Sequence, residues 1–243
     1  LVPAAGGKTG RHVISQLVQA GVRLRALART ERVHELRGDG VETLAGSMLD
    51  PAVLRRAFEG VSGVVHIGPT ASQQEVAMGV AVADAALAAG VERFVQFSVA
   101  HPQLEYLINH QNKLRVEDYV VTSGLPYTIL QPMHYLQNIE PVRVVAEGAL
   151  RLPYSVQRRL SFVDLADVAQ VCAKVLTEDG HRYATYPLCG PDLLSGEEVA
   201  AIIAQESGAE IGAEAIPLPA FLDFVGQHAP LGAYQRAYLT RLM

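Results

Sequence analysis

Three features of the sequence predict an α/β fold: a doubly wound parallel sheet, with a small α+β region towards the C-terminal end. Near the start, Val2-Pro3-Ala4-Ala5-Gly6-Gly7-Lys8-Thr9-Gly10 places a glycine turn between an apolar segment and an amphipathic one. Short apolar runs and helix-period segments then alternate through five βα units, as far as Ser98. Strands joined by helices of that length argue for right-handed crossovers and a parallel sheet covered on both faces. After Pro141 the segments shorten, prolines become frequent and the rhythm is lost. The architecture expected is of Rossmann type.

Glycines let the backbone turn sharply and approach a ligand without a Cβ, and N–H groups at a helix N-terminus point at an anion. Gly6, Gly7, Lys8, Thr9 and Gly10 are therefore candidates to hold a phosphate. The spacing A-x-x-G-x-x-G, from Ala4 through Gly7 to Gly10, has one residue more than the G-x-G-x-x-G dinucleotide fingerprint. It is similar to the turn of the short-chain dehydrogenase/reductase superfamily, with Ala4 at the first glycine; Ala4 is expected to keep a negative φ. The next helix carries Val13, Ile14, Leu17 and Val18 on one face and ends at Gly21, after which residues 22–28 alternate like a strand. About 20 positions beyond such a loop, a carboxylate would hold the ribose 2′-hydroxyl of NAD. Arg29 stands there instead, and a guanidinium suits a 2′-phosphate through charge-assisted hydrogen bonds. NADP(H) is the expected cofactor.

Residues 31–36 read as a short polar helix and 41–44 as the third strand. Asp50-Pro51 supplies an N-cap and first-turn proline for a helix over 52–58. Val64-Val65-His66-Ile67 is an apolar strand that Gly68-Pro69-Thr70 ends, and His66 reads as a hydrogen-bonded core histidine. In an open parallel sheet the ligand crevice lies beyond the carboxyl ends of the strands. Gly68, Pro69 and Thr70 should line the cofactor there, with Ser47 and Met48 near its adenine. A helix over 74–89, a strand over 94–97, a helix over 105–122 and a strand over 127–130 complete the regular part. Beyond it, 160–164 and 183–189 read as strands with a helix between them. Ser195-Gly196-Glu197-Glu198 is a capping box for a helix to Ser207, 210–217 reads as a strand and 219–242 as helical. The expected domains are 1–132, completed by 160–190, and a smaller substrate or lid region made of 133–159 and 191–243.

The formal charge of −5 and the lack of a dense Lys/Arg run exclude a nucleic-acid groove. Cys172 and Cys189 form no C-x-x-C or metal-ligand spacing, so no metal is expected and both read as small core residues of a reduced compartment. The apolar stretch 76–89 is alanine-rich and interrupted by Asp84, short of the ~20 strongly apolar residues of a membrane span. With no secretory pattern either, a cytoplasmic location is expected. The sequence opens inside the first strand, which leads us to expect residues ahead of Leu1.

Gly6 to Val13, Arg25 to Arg29, Ser98 to Gln103, Ser123 to Pro132, Tyr135 to Asn138 and Phe162 to Ala169 together resemble the NmrA-like branch of the atypical short-chain dehydrogenase/reductases. That branch includes NADPH-dependent quinone reductases and redox-sensing regulators. The resemblance implies that Gly7, Lys8, Thr9 and Gly10 hold the pyrophosphate, Arg29 the 2′-phosphate and Lys113 the nicotinamide ribose, with Pro132 and Met133 packed near the nicotinamide. Active members of the wider superfamily use a Tyr-x-x-x-Lys pair, in which lysine lowers the tyrosine pKa. Here Asn109 stands four residues before Lys113, so the usual acid is absent. The catalytic candidates are Lys113, His110 and Ser98; the substrate candidates are Tyr106, His134 and Tyr135. A histidine with an ordinary pKa near ~6.5 suits proton transfer at neutral pH.

The leading reading is hydride transfer from NADPH to a quinone or a similarly activated aromatic or enone, whose reduced oxygens water can protonate. A second is a catalytically silent NADP(H) sensor with a protein partner, supported by Asn109. A third is an accessory reductase for oxygenation of an aromatic polyketide. The partner of an enzyme here is a small quinone or aromatic molecule, with neither nucleic acid nor membrane; a homodimer is compatible with all three.

Overall fold

The computed structural model describes residues 1–243, apart from the side chains of Thr30, Glu31 and His34. Two compact units emerge: 1–132 with 165–188, and 133–164 with 189–243. In chain order the first contains β1 (Val2–Pro3), α1 (Lys8–Gln19), β2 (Leu24–Ala28), a 3-10 helix (Thr30–Leu36), β3 (Val41–Ala45), α2 (Pro51–Phe58), β4 (Gly63–Ile67), α3 (Glu75–Ala89), β5 (Arg93–Phe97), α4 (Ile108–Thr122) and β6 (Tyr127–Pro132). The second unit adds β7 (His134–Tyr135), α5 (Pro141–Glu147), β8 (Ala149–Leu152) and β9 (Leu160–Val163). The chain returns to the first with α6 (Leu165–Thr177) and β10 (Ala184–Leu188). It ends in the second with β11 (Leu193–Leu194), α7 (Gly196–Ser207), β12 (Gly212–Ala215), α8 (Leu218–His228) and α9 (Ala233–Leu242).

In the first unit, β1-β2-β3 and β10-β6-β5-β4 are parallel ladders. Val65 N donates to Leu1 O at 2.9 Å and joins them, which gives the order β3-β2-β1-β4-β5-β6-β10. The order reverses between β1 and β4, and such a switch point is where an open α/β sheet forms its ligand crevice. The helices α2, α3 and α4 pack as neighbours over a core that includes Leu27, Leu54, Phe58, Val64, Phe94 and Val116, while α1 packs beside α6.

Five expectations need correcting. Cys172 is buried in the core as expected, but Cys189, directly after β10, is exposed. The strand Leu160–Val163 belongs to the smaller unit, because β9 pairs with β7 and β11 there. The helix expected from Glu105 starts at Ile108: Leu104 N bonds His101 O and Leu107 N bonds Leu104 O, so two turns consume that segment first. The helical stretch 219–242 breaks into α8 and α9, since Pro230 forces Ala229 into an extended conformation (φ −152°, ψ 134°). Ala4 adopts φ +55° rather than a negative value, at the start of the turn in which its carbonyl accepts from Gly7 N (3.3 Å).

The smaller unit has its own core of Val144, Leu150, Phe162, Val199 and Ala200. Its α5 and β8 had no counterpart in the sequence reading; Pro141 opens α5 and Gly148, at φ +66°, closes it. The capping box of α7 is complete: Ser195 Oγ accepts from Glu198 N (3.1 Å) and Glu198 Oε2 from Ser195 N (2.7 Å). Among the described residues no helix is long and apolar enough to cross a membrane.

Candidate cofactor site and active site

The glycine loop joins β1 to α1. Gly7 is the N-cap of α1 and no side chain caps it, so the first-turn N–H groups face outward without the usual Ser or Asp acceptor. A Cβ on Gly7 would find nothing nearer than Ala4 O at 3.7 Å, which leaves the loop open on that side. Gly10 serves packing: a Cβ there would lie 2.5 Å from Ala5 O, so only glycine lets α1 approach the strand. Lys8 is exposed and Thr9 half-buried. An uncapped helix start beneath an open glycine turn fits a pyrophosphate.

Arg29 is exposed directly after β2 and is the N-cap of the 3-10 helix. Arg32, on that helix, went unnoticed in the sequence; its Nη1 donates to Gly6 O at 3.0 Å, and a Cβ on Gly6 would touch its side chain at 3.0 Å. The signal was a second arginine three residues after the first. Arg25 serves the fold, since its Nη1 donates to the carbonyls of Arg56, Ala57 and Glu59 at 3.0, 2.8 and 3.0 Å and so closes α2. Ser47 Oγ accepts from Leu49 N (3.1 Å), and Met48 is buried in the core with Leu27 and Leu54.

Strand pairing opposes His66 to Gln96 and Gln96 to Ile129. Because side chains alternate along a strand, His66 and Gly68, Gln96 and Ser98, and Ile129 and Gln131 share one face, the face that meets α3 and α4. A polar layer is buried there. Lys113 Nζ lies 2.8 Å from Glu75 Oε1, and Asn112 Nδ2 donates to Glu75 Oε2 at 3.2 Å. Gly68 makes room for this pair: a Cβ would stand 2.8 Å from Lys113 Nζ and 3.2 Å from Glu75 Oε1. Lys113 is thereby placed beside Gly68, just past the carboxyl end of β4, while Asn109 sits half-buried one turn earlier.

Deeper in the layer, His66 Nδ1 donates to Gln96 Oε1 at 2.7 Å, with the amide oriented by Gln96 Nε2 donating to Phe97 O (2.7 Å). Burial pushes the His66 pKa down to about 4; the Gln96 bond opposes this and the Lys113 charge adds to it. Gln131 Nε2 donates to both oxygens of Glu117, at 3.0 and 3.2 Å. Burial raises the Glu117 pKa, against the opposing influence of Ser98, Gln131 and Lys113. The Ser98 hydroxyl is near enough to the Glu117 carboxyl to favour its charged form, and Ser98 is only 7% exposed.

The layer unites Gly68, Ser98 and Lys113 and adds Glu75, Asn112, Glu117 and Gln131, none of them singled out in the sequence. The i,i+4 spacing of Lys113 and Glu117 was the visible clue. His110 is engaged differently: its Nδ1 meets His101 O at 2.8 Å and its pKa is lowered, chiefly by burial, so it anchors the left-handed His101 (φ +56°) as a neutral ring. Tyr106 is exposed in the loop before α4, and Pro132 O accepts from Ala100 N at 3.1 Å. Met133, His134 and Tyr135 lie in the smaller unit, where the His134 ring stands edge-on to Phe162, 6.1 Å away. Among the described residues no three His, Cys, Asp or Glu side chains could jointly hold a metal.

The chain has counterparts among known proteins. The chain is 32% identical over 228 residues to an NAD(P)H azoreductase of Xenophilus azovorans, covering 90% of this chain and 77% of the relative. It is 34% identical over 215 residues to a (4-alkanoyl-5-oxo-2,5-dihydrofuran-3-yl)methyl phosphate reductase of Streptomyces griseus subsp. griseus, covering 86% and 73%. The triphenylmethane reductase of Citrobacter sp. superposes with a TM-score of 0.85 at 25% identity, over 99% of this chain and 86% of that one. The NmrA-like family model matches residues 1–237, and the chain belongs to the NmrA-like family.

Proposed function

We propose that this NAD(P)H-dependent oxidoreductase reduces quinones and similarly activated acceptors, azo compounds and enones among them, with NADPH preferred over NADH. Bound NADPH would supply a hydride; the protein's own part is to bind, orient and manage protons. The turn at Gly6, Gly7 and Gly10 with the start of α1 would take the pyrophosphate, Arg29 and Arg32 the 2′-phosphate, and Lys113 the nicotinamide ribose, with Pro132 and Met133 against the nicotinamide ring. The observation that carries the reading is Lys113 held beside Gly68 at the carboxyl end of β4, with Asn109 where a tyrosine acid would stand. Such a site lacks the strong donor that an unactivated ketone needs, but an electron-poor conjugated acceptor accepts hydride without one. The reductases among its relatives support the same class of chemistry.

The test is NADPH oxidation, followed anaerobically and then in air, against a panel of quinones, azo dyes and aliphatic ketones. Quinones and azo dyes should react and ketones hardly at all. NADPH binding without turnover on any acceptor would replace this reading by the NADP(H) sensor. In calorimetry Arg29→Ala should weaken NADPH but not NADH, by roughly one to two decades, the worth of a charge-assisted contact. Equal wild-type affinities for the two cofactors would overturn the arginine assignment.

A further inference from the structure

We infer that Glu117 is the proton source of this reductase and that Ser98 passes its proton to the reduced acceptor; the inference rests on the reductase reading above. Two observations carry it. The Glu117 carboxyl is 7% exposed and its hydrogen-bond partner is the neutral amide of Gln131 rather than a guanidinium. Ser98 directly follows β5 and its N–H bonds Leu130 O (2.8 Å), beside the Gln131 that holds Glu117; its hydroxyl, also 7% exposed, adjoins that carboxyl and has no hydrogen-bond partner aligned on it, on the face where Lys113 reaches Gly68. A buried hydroxyl left unpaired costs free energy and calls for an explanation. A hydroxyl waiting for the acceptor supplies one.

The groups facing Glu117 come from three elements. Lys113 and Asp118 share its helix with opposite effects, Ser98 comes from the end of β5, and Gln131 from β6; Glu75 of α3 acts at one remove through Lys113. Burial outweighs the polar neighbours, which favours the protonated acid.

The step balances without any change of oxidation state in the relay. Once the acceptor has taken hydride, it carries a pair of electrons on oxygen or nitrogen. The Ser98 O–H bond breaks and its proton joins that atom. The Glu117 O–H bond breaks in turn and restores the serine hydroxyl. The carboxylate left behind, steadied by Gln131 and by Lys113 one turn away, takes a proton from water before the next cycle. Glu117 thus does for this chain what Asn109 cannot.

The experiment has a part that needs no turnover. In the cofactor-free protein, carbon-13 NMR of labelled glutamate carboxyls should show one group that titrates above the ordinary carboxylate range and disappears in Glu117→Gln. If the Glu117 signal titrates like a surface carboxyl, the inference fails. The second part compares an azo dye, whose reduction needs a proton, with a triarylmethyl cation, which becomes a neutral product on hydride transfer alone. The ratio of azo to cation rates should fall ~10²-fold in Glu117→Gln and Ser98→Ala, and Ser98→Thr should restore it. Calorimetric NADPH affinity checks that the variants are folded, and the serine pair carries the test should Glu117→Gln not fold. Equal losses on both acceptors would overturn the relay and leave the reductase intact. A wild type inactive on both would overturn the reductase reading, and the relay with it.

Discussion

The buried ion pair of the first unit and the exposed chain of ion pairs in the second treat charge in opposite ways. In the first, Glu75 and Lys113 meet at 2.8 Å with side chains 2% and 16% exposed, roofed by a glycine with no room for a methyl group. In the second, Arg143, Glu147, Arg151 and Glu214 form a chain of contacts at 2.6, 2.7 and 3.1 Å in which every side chain is at least a third exposed. Distances alone do not tell the two apart. Water does, since a pair in solvent gains little over its hydrated parts whereas removing one partner of a buried pair strands the other. The same contact distance therefore belongs to a buried polar layer in one case and to a decorated surface in the other.

The largest expected effect tests that contrast directly. Lys113→Ala leaves the Glu75 carboxyl buried with the neutral Asn112 amide beside it and its cation gone, and should cost about 3–5 kcal/mol in urea denaturation. Adding Glu75→Gln should recover part of the loss, because a neutral amide tolerates burial better than an unpaired carboxylate. A loss below about 1 kcal/mol would put the buried pair on a par with a surface one and break the comparison.

Next comes His66, whose folded pKa of about 4 lies below its unfolded value near 6.5. The native state must stay neutral where the unfolded chain takes up a proton, so this stability is complete above pH ~6.5 and is lost as pH falls towards 4. The span amounts to about 3 kcal/mol. Glu117 acts in the opposite sense: with its pKa raised, its contribution is present in acid and fades as pH rises through the folded value. The ring resonances of His66 should stay those of a neutral imidazole down to about pH 4. Protonation near 6.5 would show that water reaches the layer.

Most of the first unit could be read in the sequence because its signals are local. The turn at Gly6 to Gly10, the cap at Asp50 and the apolar run ending at Gly68 each depend on neighbours a few residues away. The layer of Glu75, Asn112, Glu117 and Gln131 could not, because it depends on which face of α3 and α4 meets which strand, and a lone glutamate on a helix reads as surface. The smaller unit was less legible still. Its β8 pairs with β12 across 60 residues of chain and its β9 lies between two-residue strands, so little periodicity announces them. Arg32 falls between: its neighbour Arg29 was visible, but its contact with Gly6 needs the fold.

A smaller effect concerns the turns. Gly148 closes α5 at φ +66° at no steric cost, while Ala4 holds φ +55° in the glycine loop after β1 with a Cβ that disfavours it. Ala4→Gly removes that strain but loosens the unfolded chain and gives up a methyl that packs on the core. A net gain of about 1 kcal/mol is expected in thermal and chemical denaturation. A loss would mean that packing of the methyl outweighs the backbone.

The smallest effect should come from the exposed chain in the second unit. Arg151 stands directly across from Glu214 on the paired strands β8 and β12 and also reaches Glu147, which Arg143 and then Arg151 hold below the usual carboxylate range. A contribution of that sign is present above the unfolded carboxylate pKa and is lost as pH falls through the folded one. Arg143 also lies 4.2 Å from the centre of the Phe224 ring, so the contacts of Arg143 survive the loss of Arg151. Arg151→Ala should therefore move the melting midpoint by only about 2 °C, an amount that shrinks in high salt and in acid. If it instead rivals Lys113→Ala and is insensitive to salt, then the exposed chain acts as a single buried network, and solvent exposure is the wrong criterion for telling the two units apart.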